Sequence, residues 1–129
     1  MDRTALVTRL FLAYQSRNLD GLRELVAPDV CVEPLSPALL PGRAYRGVDG
    51  ITRWLDDLAS SGYEYHSVVD AMEVHGDRVL VVGTVGATSS HQPLSTTPVA
   101  WLFEFGADDR LCAMRAYLSV EDARARLGG

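Results

Sequence analysis

Glu33, His66 and the tyrosines are the side chains of this sequence best suited to moving a proton, and none of them sits in a spaced catalytic motif. Glu33 closes a β-prone run that begins at Val30 and is stopped by Pro34. A carboxylate there could take a proton from a carbon acid if burial raised its pKa. The competing reading is a solvated strand-end carboxylate, the commoner state of a Glu. His66 alternates with Tyr65 along a strand-like run, so one of the two points inward and the other outward. An inward His66 would shuttle protons near neutral pH; the competing reading is a surface or interface histidine. His91 shares a stretch with Ser89, Ser90 and Gln92 that reads as a turn, and His75 adjoins the turn pair Gly76-Asp77. Asp56 and Asp57 are adjacent on a helical pattern, so they diverge around the axis and cannot work as a carboxylate pair.

Trp54 and Trp101 could stack a flat ligand, or serve as core aromatics with no ligand at all. Tyr14 carries a hydroxyl that must find a partner if it is buried. The chain has no Gly-rich phosphate loop, no HExxH, no GxSxG and no Cys-His pair at a recognised spacing. No metal and no cofactor is therefore expected, and any catalysis would be cofactor-free acid/base work.

The surrounding composition is that of an ordinary globular domain. The 129 residues suit one domain, 1–129, and 47% hydrophobic against 22% charged residues can build a core without staples. Seventeen acidic against twelve basic residues leave a net charge of −5, which argues against a nucleic-acid partner. Cys31 and Cys112 lie in strand-like runs and read as inert buried thiols. The amino terminus lacks the long apolar stretch of a signal peptide, and no apolar run approaches 18 residues, so no membrane association and a cytoplasmic location are expected.

The elements that must position these residues follow from periodicity. Residues 2–17 read as a helix with Leu6, Val7, Leu10, Phe11, Ala13 and Tyr14 in a broad stripe. Asn18 can cap a second short helix, which Pro28 and Asp29 end. The loop to about residue 44 carries Leu35, Leu39 and Leu40, too apolar for plain solvent, so it reads as a lid. A third helix spans 48–60 with Ile51, Trp54, Leu55 and Leu58 at i, i+3, i+4 and i+7. Runs at 63–74, 78–89, 96–105 and 111–119 read as strands joined by short turns, which favours antiparallel pairing. A last short helix covers 121–127. Helices followed by hairpin-joined strands give an α+β class, with three N-terminal helices wrapped by a curved antiparallel sheet. Strand 99–105 is apolar on both faces, so the outer sheet face also wants cover, and a homodimer is expected.

This order of elements resembles the nuclear transport factor 2-like superfamily, and its SnoaL-like branch in particular. The resemblance runs along nearly the whole chain. It rests on Asn18-Leu19-Asp20-Gly21-Leu22, Ala27-Pro28-Asp29-Val30, Tyr45-Arg46-Gly47 with Val48-Asp49-Gly50-Ile51, Gly76-Asp77-Arg78-Val79 and Met114-Arg115-Ala116-Tyr117. It implies a cone-shaped half-barrel with its mouth between helices and concave sheet, and a dimer through the outer sheet face. The implied pocket wall is Tyr14, Trp54 and Leu58 from the helices with Thr84, Trp101, Phe103, Met114 and Leu118 from the strands. Ala116, Val82, Gly86 and Thr88 would also face inward, and Arg115, Tyr117, Ala100 and Leu102 would face the partner.

The superfamily hosts isomerases, dehydratases, epoxide hydrolases, cyclases and binders, so the resemblance speaks for fold more than for function. Ketosteroid isomerase chemistry needs a carboxylate base and two oxyanion donors. The matching positions are Pro34 for the base and Leu10 and Trp101 for the donors, all vacant of that chemistry. The Asp-Arg-Asp set of limonene epoxide hydrolases has no counterpart here. His66, His91, Tyr63 and Tyr65 are the residue types of a scytalone dehydratase-like site without a diagnostic spacing. The expected function is binding of a small, largely apolar organic molecule, with isomerase-, dehydratase- or cyclase-type acid/base catalysis at most. The alternative is a non-catalytic dimeric binding or interaction module.

Overall fold

Asp2 sets the start of the first helix: its carboxylate accepts hydrogen bonds from the Thr4 backbone N–H at 3.1 Å and the Thr4 hydroxyl at 2.9 Å. From there the computed structural model, which describes residues 2–34, 44–90 and 92–128, runs through ten elements. Helix α1 (Arg3–Gln15) buries Leu6, Val7, Leu10 and Ala13. A tight joint follows, with Arg17 at φ +56°. Helix α2 (Leu19–Leu25) is capped by Asn18, whose side chain accepts from the Gly21 N–H at 3.0 Å. Strand β1 (Val26–Glu33) follows directly, then β2 (Tyr45–Arg46) and α3 (Gly47–Ser60), which buries Ile51, Trp54, Leu55 and Leu58. Gly50 lets α3 press against β2, since a Cβ there would lie 2.9 Å from the Tyr45 carbonyl carbon.

Strands β3 (Glu64–His75), β4 (Arg78–Ser89), β5 (Gln92–Phe105) and β6 (Leu111–Tyr117) form an antiparallel meander, and α4 (Val120–Gly128) closes the chain. The six strands lie in one sheet in the order β2-β1-β6-β5-β4-β3. The expected α+β class holds: N-terminal helices pack on a curved sheet, and a short helix follows it.

The pairing departs from expectation in one respect. The sheet is mixed, because β1 runs parallel to β6, with Val32 opposite Met114 and Glu33 opposite Arg115. Alternation in a short strand reports which face is buried and not which way its neighbour runs. Strand β1 also begins earlier than Val30. Pro28 and Asp29, expected to end α2, lie inside β1 where its register with β6 shifts, and an irregular stretch tolerates the missing proline N–H.

The two sheet faces bury different things. The concave face carries Val32, Val79, Val81, Trp101, Phe103 and Met114 into the main core with α1, α2 and α3. On the other face Leu80, Ala100 and Leu102 are covered by Ala123 of α4 in a second, smaller core. Ala100 and Leu102 were expected to face a partner subunit; they are buried within the chain instead, because α4 folds back over β4 and β5. A bidentate contact from the Arg124 guanidinium to the Glu73 carboxylate ties α4 to β3.

Candidate functional site: an aromatic-walled cavity

A cavity opens between the three N-terminal helices and the concave sheet face. Its deep end is apolar, with Leu22, Val26 and Leu111 fully buried. Its middle is aromatic. Trp101 and Phe103 come from β5 because their parity faces inward opposite Val81 and Val79 of β4. Phe11 of α1 meets both edge-on, at ring-centroid distances of 5.2 and 5.7 Å. Across the cavity, Tyr14 of α1 stacks on Trp54 of α3 at 4.8 Å. Tyr45 tilts against Trp54 at 6.5 Å and donates its hydroxyl to Asp57 Oδ2 at 2.5 Å, which ties β2 to α3. Leu58, Ile51, Val32 and Met114 complete the wall. The open space is about 790 Å³ counted out through the mouth, an upper bound on what a ligand can fill.

Polarity enters at the less buried side. The lining residues there include Tyr14, Tyr65 and Ser67. Burial pushes the Tyr14 phenol above its ordinary pKa, and Arg17 pulls it part of the way back. Burial raises Tyr65 as well, with the nearby Ser61 hydroxyl opposing the shift. Both phenols are thus neutral donors at pH 7. The Tyr65 hydroxyl is enclosed yet makes no well-formed hydrogen bond. The Ser61 hydroxyl beside it donates to the Leu58 carbonyl at 2.7 Å and accepts from the Tyr63 N–H at 3.2 Å, which leaves it one acceptor site on the Tyr65 side. Arg17 lies over the Tyr14 ring at 5.1 Å, and its Nη1 donates to the Tyr14 carbonyl at 3.1 Å.

Of the expected wall residues, Tyr14, Trp54, Leu58, Trp101, Phe103 and Met114 come together in this cavity. Thr84 and Leu118 do not. Strand β4 directs its odd-numbered residues inward, so Val81 and Val85 face the cavity side while Thr84 points to the outer face beside Val82. Leu118 lies past the end of β6, where the chain turns into α4, and is 42% exposed.

The two acid/base candidates also lie elsewhere. Glu33 takes the parity opposite to inward Val32 and pairs with Arg115 Nε at 3.1 Å on the outer face. His66 is exposed on the outer side of β3, because Tyr65 holds the inward position. His75 ends β3 opposite Arg78 and lies 3.5 Å from Glu73, so the turn proper is Gly76-Asp77. His91 and the expected lid, Leu35, Leu39 and Leu40 included, lie outside the described residues. Among the described residues no carboxylate or imidazole lines the cavity, and no group of three His, Cys, Asp or Glu side chains could hold a metal ion.

Phe11, Arg17, Ser67 and Val85 at or near this site were not singled out from the sequence as site residues, and the choice between Tyr65 and His66 for the inward position was left open. A signal for Tyr65 existed. Glu64, His66 and Asp70 share one face of β3 and mark it as the wet one, which leaves Tyr65, Ser67 and Val69 for the core. No described helix is long and apolar enough to cross a membrane.

Comparison with solved structures bears on the fold. An NTF2-like protein of unknown function from Burkholderia pseudomallei superposes with a TM-score of 0.77 at 19% identity, covering 97% of each chain. A putative polyketide cyclase from Sinorhizobium meliloti superposes with a TM-score of 0.71 at 24% identity, over 91% of this chain and all of its own. A Mycobacterium tuberculosis protein in complex with estradiol-17β-hemisuccinate gives 0.73 at 13% identity, over 92% of this chain and 94% of its own. Comparison with curated protein sequences finds no match. A family model described as a SnoaL-like domain matches residues 7–114. With the helices and the six-stranded sheet in that arrangement, the chain belongs to the SnoaL-like domain family and has the NTF2-like, ketosteroid isomerase-like fold.

Proposed function

We propose that the cavity binds a small, flat, largely apolar organic molecule, held between the Tyr14–Trp54 stack and the Trp101–Phe103 side of the sheet. The supporting observation is the wall itself: aromatic faces from α1, α3 and β5 converge on one space whose polar groups are neutral hydroxyls. Such a wall takes apolar surface out of water and fixes a ring's orientation. The structural relative with estradiol-17β-hemisuccinate bound supports it by analogy, since that ligand carries a flat polycyclic body.

Any turnover would be cofactor-free and would use the phenols as neutral hydrogen-bond donors to a developing oxyanion. A thermal-shift and calorimetric titration with 2-methylnaphthalene tests the binding reading. A saturable rise in melting temperature that Trp54→Phe weakens is expected. No shift up to the solubility limit of the probe would overturn it.

One observation favours a second reading, a non-catalytic binding module. The described cavity lining offers no carboxylate or imidazole to act as a base. In either reading the chain pairs with a second copy through the part of the outer sheet face that α4 leaves open, around Arg115 and Tyr117. Light scattering at low concentration checks the dimer, and a monomer there would sink it.

A further inference from the structure

We infer that a ligand enters and leaves the cavity sideways, through the seam between α1 and the edge strand β3, and that the hydrogen bond from Gln15 to the Ser67 carbonyl is the latch on that seam. The inference deepens the binding reading above and rests on it.

The first argument is where the wall is weakest. Strand β3 ends the sheet order, with β4 as its sheet neighbour. Not one of its 12 residues is buried, although Tyr65 and Ser67 line the cavity. The neighbouring β4 buries Val79, Leu80, Val81 and Ala87, and α3 buries Ile51, Trp54, Leu55 and Leu58. A segment with little buried apolar surface opens at lower free energy than the elements around it. Phe11 and Tyr14 of the lining come from α1, and Tyr65 and Ser67 from β3. Parting these two elements therefore widens the cavity itself.

The second argument is the latch. Gln15 Nε2 donates to the Ser67 carbonyl oxygen at 3.2 Å, from the last turn of α1 to the edge strand. Gln15 is exposed, so water competes for both groups and the bond holds the seam only weakly. The ordinary role of such a bond is to satisfy an edge-strand carbonyl. Water would satisfy that carbonyl as well; the side chain adds a link between two elements that both line the cavity.

The third argument is the rim. Leu12 and Val68, 61% and 56% exposed, are the most exposed large apolar side chains among the described residues. Leu12 lies one helical turn before Gln15, and Val68 follows Ser67. A single exposed leucine is unremarkable on a protein surface. Apolar side chains beside both ends of one hydrogen bond suit the passage of an apolar molecule out of water.

The test follows 2-methylnaphthalene binding by stopped-flow fluorescence in the parent protein, Gln15→Ala, Gln15→Glu and Gln15→Arg. Alanine and ionised glutamate both lack a donor, whereas arginine keeps one. Gln15→Ala and Gln15→Glu are expected to raise the association and dissociation rates together by about threefold, the weight of one exposed hydrogen bond, with Kd unchanged. Gln15→Arg should stay near the parent rates. Thr8→Ala, which loses a hydroxyl bonded within α1, should move neither rate. Unchanged rates in the donor-free variants would overturn the latch while the binding reading stands. So would a rise in dissociation alone, which marks a contact with bound ligand instead of a gate. If the parent does not bind the probe, both readings fall together. Gln15 is exposed, so replacing it leaves the core intact.

Discussion

The Tyr14 and Trp54 rings lie parallel to within 15°, their centroids 4.8 Å apart, and so join α1 to α3 through the cavity wall. The pair is a structural joint as well as a ligand surface. Trp54 is buried and touches the rings of both Tyr14 and Tyr45. Truncating it should therefore cost stability whether or not a ligand exists. Trp54→Ala is expected to lose about 3–5 kcal/mol in urea unfolding, the usual range for a buried tryptophan. Trp54→Phe keeps a ring in place and should lose far less. A near-neutral Trp54→Ala would mean that the α1–α3 joint is not packed as described.

A second prediction concerns which side of β4 is wet. Val81 is fully buried opposite Trp101, whereas Thr84 points to the outer face. Val81→Thr places a hydroxyl among apolar side chains and should destabilise by about 1–3 kcal/mol. Thr84→Val should stay within about 0.5 kcal/mol of the parent. Urea midpoints of the two variants decide it, and the reverse ranking would restore Thr84 to the cavity.

That strand also shows where the sequence stops being readable. The helices were legible because Ile51, Trp54, Leu55 and Leu58 repeat at one period and one face, and Asn18 announces a cap. Strand β4 was legible as a strand but not in its facing. Its run Val79-Leu80-Val81-Val82 is apolar on both faces because α4 covers the outer one, so the period of two carries no sign. Placing Thr84 inward followed from analogy and failed for that reason. The parallel β1–β6 pairing is set by a contact between the two ends of the chain that no local pattern records. Tyr65 was legible as inward from its wet neighbours, but the unmet hydrogen bond of its hydroxyl is a property of three-dimensional packing.

The phenols give a pH-dependent prediction. Burial holds the folded-state pKa of Tyr14 and Tyr65 above the ordinary tyrosine value of about 10. An unfolded chain therefore loses these protons first as pH rises. The linked stability is intact below about pH 10 and is lost as pH climbs through the raised folded values. An ultraviolet phenolate titration should show a late-ionising component that includes Tyr14 and Tyr65. Tyr14→Phe should remove one late step and make the alkaline fall in stability shallower. Five tyrosines titrating together near the ordinary value would contradict the burial of both rings.

Gly83 carries the last prediction, because it controls where the edge strand sits. It lies on β4 opposite Val69 of β3 and Val99 of β5, next to the point where the β3–β4 register shifts. A Cβ built at Gly83 would overlap the Val68 carbonyl oxygen and come within 3.2 Å of the Trp101 ring. The carbonyl belongs to backbone and cannot swing aside, so Gly83→Ala must push β3 outward or shift the Trp101 ring. Strand β3 has β4 as its sheet neighbour and holds Tyr65 and Ser67 against the cavity. The substitution should therefore cost about 1–3 kcal/mol as an overpacked site. Its cost should be local, with amide exchange accelerating along β3 more than along β5. Ligand affinity should fall with it, since the wall that carries Tyr65 would no longer close on α1. If Gly83→Ala is as stable as the parent and β3 amides exchange no faster, the close approach of β3 to β4 at this position is wrong.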